Sequence, residues 1–132
     1  MTLSEALCRA DEVCPNGFSR AEKTAWISQL EWTLRRTLYD THEGPEFRFH
    51  GLTAASDGRT PLWAPEPYSE LYVLYLTAMI DYYNRETAAY NNAMLLFNSL
   101  LTEFSRWYRR THKPKSGRIG YFGNGPQTAA DS

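Results

Sequence analysis

The chain has 132 residues, enough for one domain whose core needs neither disulfides nor metal. Its hydrophobic fraction of 42% and aromatic fraction of 14% exclude a disordered polymer. The net charge of -1 conceals a split: residues 1–105 carry 8 basic and 14 acidic side chains, a net of -6, whereas residues 106–132 carry 6 basic side chains and Asp131 alone, a net of +5. An acidic body joined to a basic segment points to polar self-association or an anionic partner.

Thr2-Leu3-Ser4-Glu5 has the spacing of a capping box, in which Thr2 and Glu5 satisfy each other's backbone amides. Leu3, Ala6, Leu7, Ala10 and Val13 then recur at helical steps. Pro15 disfavours helix at Cys14, and Asn16-Gly17 is turn chemistry, so the first helix ends there. Ser19 and Glu22 form a second capping box, with Phe18 placed for a hydrophobic staple. Trp26, Ile27, Leu30, Leu34 and Leu38 give the apolar stripe of a helix from about Arg20 to Asp40, with Arg35 and Arg36 off it.

Residues 41–66 break the pattern. Gly44, Pro45, Gly51, Gly58, Pro61 and Pro65 exclude a long helix. Phe47 and Phe49 alternate with Glu46 and Arg48, a weak strand signal, and Asp57-Gly58 is suited to return the chain toward Leu62-Trp63. An extended loop and a β-hairpin are both compatible with this. Phe47, Phe49, Leu62 and Trp63 are its candidate contacts, because long loops in small domains tend to be functional.

Pro67 suits the first turn of a third helix, with a stripe of Tyr68, Leu71, Tyr72, Tyr75, Ala78, Met79 and Tyr82. Asn84 is placed to end or kink it. The fourth helix runs from about Glu86 to Arg110 on Tyr90, Ala93, Met94, Phe97, Leu100, Leu101, Phe104 and Tyr108. Lys115 to Arg118 then read as a linker, Ile119, Tyr121 and Phe122 as an apolar tip, and residues 123–132 as disordered in isolation.

Catalytic chemistry finds no support. His42, Glu43, Glu46 and His50 lie close together, but Gly44-Pro45 denies them the rigid frame of a metal site. Nothing around Cys14 lowers a thiol pKa, and the two cysteines read as reduced thiols of a cytosolic product without a signal peptide. The glycine-rich Gly120 to Gly125 segment has no following helix to bind phosphate. The expectation is no enzyme, no catalytic or metal residues, no cofactor and no membrane span. The longest apolar run, Leu71 to Ile80, is too short to cross a bilayer.

The strongest local signal is basic. Arg106, Arg109, Arg110, Lys113, Lys115 and Arg118 occur with no acid among them. Such a patch fits a phosphate backbone or an acidic protein surface. The Ile119, Tyr121 and Phe122 tip favours protein, as the anchor of a docking arm. The ladder of Tyr68, Tyr72, Tyr75, Tyr82, Tyr83 and Tyr90 reads partly as core and partly as interface.

The pattern as a whole resembles the head–tail connector (adaptor, or head-completion) proteins of tailed phages. It is carried by Leu3 to Glu31, Thr41 to Gly44, Pro67 to Tyr72, Asp81 to Asn84, Tyr90 to Asn98 and Arg110 to Pro114. The resemblance implies a virion protein made in the host cytoplasm, forming a ring of usually twelve copies beneath the portal. It would join the portal to the next neck or tail protein and leave a channel through which genomic DNA passes without sequence-specific binding. It marks the Phe47–Trp63 loop and the Arg110–Phe122 tail as docking regions. From the tyrosine ladder itself, Tyr75 and Tyr83 are the candidates for contact between subunits.

The expected fold is therefore all-α: a bundle of about four helices in residues 1–110, with an inserted extended loop or β-hairpin at about 41–66 and an extended basic C-terminal arm at 111–132. The alternative function is a small nucleic-acid-binding module using residues 106–118. Such a module would show affinity that falls steeply with salt.

Overall fold

The computed structural model describes residues 1–115. Four helices follow in chain order: α1 (Leu3–Val13), α2 (Arg20–Leu34), α3 (Glu70–Tyr83) and α4 (Thr87–Thr111), with one π-helical turn (Arg35–Tyr39) continuing α2. The described residues are thus mainly helical, and the only β pairing among them is two isolated bridges.

Both capping boxes form. The Glu5 amide donates to Thr2 Oγ1 at 3.2 Å while the Thr2 amide donates to Glu5 Oε1 at 2.8 Å. Ser19 and Glu22 repeat the exchange at 3.1 and 2.9 Å. Each satisfies helix-terminal amides that would otherwise lack partners, a contribution of about 1 kcal/mol. Asn16 organises the turn between the two helices: its Nδ2 donates to Asp11 and to the Cys14 carbonyl, and its Oδ1 accepts from the Phe18 amide. Phe18 does not close a staple onto the fourth helical residue. That residue is Lys23, buried and paired with Asp11 at 2.7 Å, so the Phe18 ring packs one turn further on, against Trp26.

The axis of the fold is α3, which packs against α1, α2 and, most extensively, α4. The single stripe expected for α3 is too narrow. Leu71, Tyr72, Val73, Leu76, Thr77, Ala78 and Ile80 are all buried, covering most of the helix circumference, while Tyr82 at the expected stripe's end is 56% exposed. A helix enclosed by neighbours is apolar all round. The helix also begins at Glu70 rather than in the turn of Pro67. Residues 65–72 first make tight turns, with Tyr68 bonding back to Pro65, Leu71 to Tyr68 and Tyr72 to Ser69. The α4 stripe has the expected form, with Ala93, Phe97, Phe104 and Tyr108 at its buried centre.

Residues 41–66 form a loop in which no hairpin ladder is found. Its backbone groups are held by side chains of the helix beneath. Ser28 Oγ accepts from the Leu52 amide at 3.0 Å, Glu31 Oε2 accepts from the Trp63 amide at 2.9 Å, and Arg35 donates to the Phe47 carbonyl at 3.1 Å. Tyr39 Oη accepts from the Phe47 amide. Phe47, at the centre of the expected alternation, thus has both backbone groups taken up by side chains rather than by a partner strand. The loop's far end is held by the N-terminus, through Leu3 to the Thr60 carbonyl, Ser4 to the Gly58 carbonyl and Leu62 to the Met1 carbonyl. Among the described residues no helix is long and apolar enough to cross a membrane.

Candidate interaction surface at the basic end of the bundle

The C-terminal half of α4 carries Arg106, Arg109 and Arg110, all exposed, followed by exposed Lys113 and Lys115. Cations in the last turn complement the negative end of the helix dipole. Arg118, Ile119, Tyr121 and Phe122, the remainder of the expected arm, lie outside the described residues. Residues 113–115 do not leave the body at once. The Glu43 amide donates to the Lys113 carbonyl at 2.7 Å, the Lys115 amide donates to the Thr41 carbonyl at 2.9 Å, and His42 bridges to Pro114. The basic segment is therefore tied to the start of the 41–66 loop as far as Lys115.

Beside these cations lies an open aromatic groove of about 260 Å³, lined by Phe47 and Trp63 from the loop, by Trp107, Tyr108 and His112 from α4, and by Pro45, Glu46 and Pro65. Trp63 meets Tyr108 edge-on at 5.0 Å and Phe104 at 5.6 Å. Tyr108 stacks on His112 at 3.9 Å, and burial raises its phenol pKa, with Tyr39 adding to the shift. Gly44 passes close above: a Cβ there would sit 3.1 Å from the His112 ring and 3.2 Å from Tyr108 Oη.

The four expected loop contacts divide into two pairs. Phe47 and Trp63 are half-buried and line the groove. Phe49 and Leu62 are buried in the core, Phe49 packing edge-on against Trp32 at 4.8 Å, so they fasten the loop rather than present it. Of the two candidate inter-subunit tyrosines, Tyr83 is 53% exposed and stacks on Trp26 at 5.5 Å. Tyr75 is half-buried against Phe97 at 5.4 Å, and burial raises its pKa.

The residues weighed for chemistry have structural surroundings. His42 is buried, and its Nδ1–H donates to the Leu38 carbonyl at 3.1 Å. Glu46 pairs with Arg48 at 2.8 Å, and His50 is exposed. Among the described residues no three His, Cys, Asp or Glu side chains gather as metal ligands. Burial pushes the Cys14 thiol pKa up, with the charge and hydrogen bond of Asp81 adding to it, which is the reverse of nucleophile activation.

The residues that position this end were not evident from the sequence. Glu31, Arg35, Tyr39 and Tyr72 hold the loop from below, and their partners are remote in the chain. The one available signal was Glu31 itself, a carboxylate between Leu30 and Leu34 on the apolar side of α2. Compared with protein-family models, with curated proteins and with solved structures, the chain matches none.

Proposed function

We propose that this chain is a head–tail connector of a tailed phage, a structural subunit that assembles as a ring beneath the portal and joins the capsid to the next neck or tail protein. The observation that carries the reading is the charge division within one helical body. The body upstream of residue 106 has a net charge of -6, and the exposed cations of α4 gather at one end and lead into the C-terminal segment. Opposed charges within one subunit favour ordered assembly on a protein partner, because they reject misaligned copies and steer the arm. The aromatic groove beside the cations supplies apolar area of the kind that centres protein interfaces. Genomic DNA would pass the assembled ring without sequence-specific contact.

The test is co-sedimentation with the portal protein encoded in the same genome. The full chain should join it, and a chain ending at Lys115, which keeps the bonds to Thr41 and Glu43, should remain folded but fail to join. Joining by the shortened chain would overturn the role of the arm. The second reading, nucleic-acid binding, is favoured by exposed Arg106, Arg109, Arg110, Lys113 and Lys115 alone. It requires duplex affinity with a steep negative salt slope, which the connector reading does not.

A further inference from the structure

From Thr87 to Thr102, α4 carries no charged side chain. A solvent-facing helix normally places charge on its outer face. Here the outward line at helical spacing is Ala88, Asn92, Leu95, Ser99 and Thr102, and Leu95 is 70% exposed. Leu96, on the flank of that line, is 58% exposed. Among the described residues these two leucines form an unpartnered apolar knob.

The same subunit carries a matching hollow. A groove of about 300 Å³ runs between α2 and α4, floored by Leu30, Leu34 and Tyr75 and bordered by Leu101. Among the described residues, the only charged one lining it is Arg109. Knob and hollow lie on different faces of α4, since the hollow is lined by Phe97 and Leu101, of which Phe97 is buried, whereas Leu95 turns out; Arg109, nearer the outward line, reaches the rim of the hollow with its long side chain. One subunit can therefore offer its knob to one neighbour and its hollow to another.

Charge complementarity favours a second copy as the occupant. Glu103 lies two turns beyond Leu96, and Arg109 lies two turns beyond the Leu101–Thr102 level of the groove. Neither is in an ion pair among the described residues. Seating Leu95 and Leu96 of one copy in the groove of the next, with the α4 helices parallel, brings Glu103 to Arg109 across the contact.

We propose that the Leu95–Leu96 knob of one subunit docks in the Leu30–Leu34–Tyr75 groove of the next, locked by a Glu103–Arg109 pair, as the repeating contact of the assembly. The inference rests on the oligomeric part of the connector reading and names its contact. A contact between two different surfaces is head-to-tail, so it propagates beyond a dimer, closing into a ring where its rotation permits.

The experiment is sedimentation velocity on the full chain over a concentration series. Wild type should form species larger than a dimer. Glu103→Arg and Arg109→Glu should each weaken association about tenfold, and the double swap should restore it to within about threefold. Leu95→Asp, at an exposed site that the fold does not use, should abolish association while leaving the circular-dichroism spectrum unchanged, and the thermal midpoint unchanged at dilutions where the wild type is monomeric. A chain still monomeric at about 1 mM has no such contact. An assembly that stops at a dimer, or a double swap no better than its parents, also overturns the proposal. Portal binding is not read in this experiment, so a chain that self-associates as stated yet ignores the portal would refute the connector reading and leave this contact standing.

Discussion

The Tyr72 phenol donates a hydrogen bond to the Glu31 carboxylate across 41 residues of sequence, and the two residues are 0% and 2% exposed. The pair is also an anchor for the loop. Tyr72 Oη accepts from the Ala64 amide at 2.8 Å, and the other oxygen of Glu31 accepts from the Trp63 amide at 2.9 Å. One buried junction thus joins α2, α3 and the end of the 41–66 loop.

Removing the phenol leaves two groups without partners. Tyr72→Phe should destabilise the fold by about 2 kcal/mol, since the Ala64 amide and one Glu31 oxygen lose their bonds in a buried site. Urea unfolding measures this, and a loss below about 0.5 kcal/mol would mean that the junction contributes little beyond packing.

The same junction gives a pH signature. Burial raises the Glu31 carboxyl pKa above its ordinary 4.5, against the lowering effect of the bonds from Tyr72 and Trp63. For a group with a raised folded-state pKa, the stability contribution is fully present below the unfolded value and is lost as pH climbs through the folded value. The stability of the wild type relative to Glu31→Gln should therefore decline as pH rises from about 4.5 toward neutrality. Parallel denaturation series at several pH values check this, and a gap that widens with pH contradicts it.

Thr24 is 0% exposed, and its hydroxyl has no hydrogen-bond partner among the described residues. Val has nearly the same shape and helix preference without the polar atom. Thr24→Val is expected to stabilise the chain by about 1 kcal/mol, seen as a higher denaturation midpoint at constant slope. An equal or lower midpoint would show that the hydroxyl does find a partner.

Gly44 separates the loop from the end of α4 by little more than van der Waals contact. In Gly44→Ala the added methyl must displace the His112 ring, at a cost of about 1 kcal/mol. The loss should be local: faster amide exchange at Glu43 and Lys115, whose bonds close the bridge, with protection in α3 unchanged. Uniformly faster exchange across all helices would show that this corner is not separable from the core.

What the sequence disclosed follows the reach of each interaction. The two capping boxes and the Asn16 turn were legible because their partners lie within five positions. The α4 stripe was legible because one face meets the core and the other meets solvent. The enclosure of α3 was present in the nearly unbroken apolar run from Leu71 to Ile80, but a one-stripe template divides such a run between faces. The loop was harder. Alternation at Phe47 and Phe49 suggested a strand, and only the fold reveals that Ser28, Glu31, Arg35 and Tyr39 take up its backbone groups. At the candidate surface the cations were readable by composition. The groove was not, because Phe47 and Trp63 reach Trp107 and Tyr108 only after α4 returns along α3.

The two bridges bear on how the molecule carries load. Met1 and Thr2 are stitched to Pro61 and Leu62, and Pro114 and Lys115 to Thr41 and His42. Each terminal segment of the described chain therefore grips one end of the same loop. Tension applied beyond Lys115 enters the body at Thr41–Glu43, at the foot of α2, as well as along α4. A pull on this segment is shared between two helices, so the strain reaching either one is reduced.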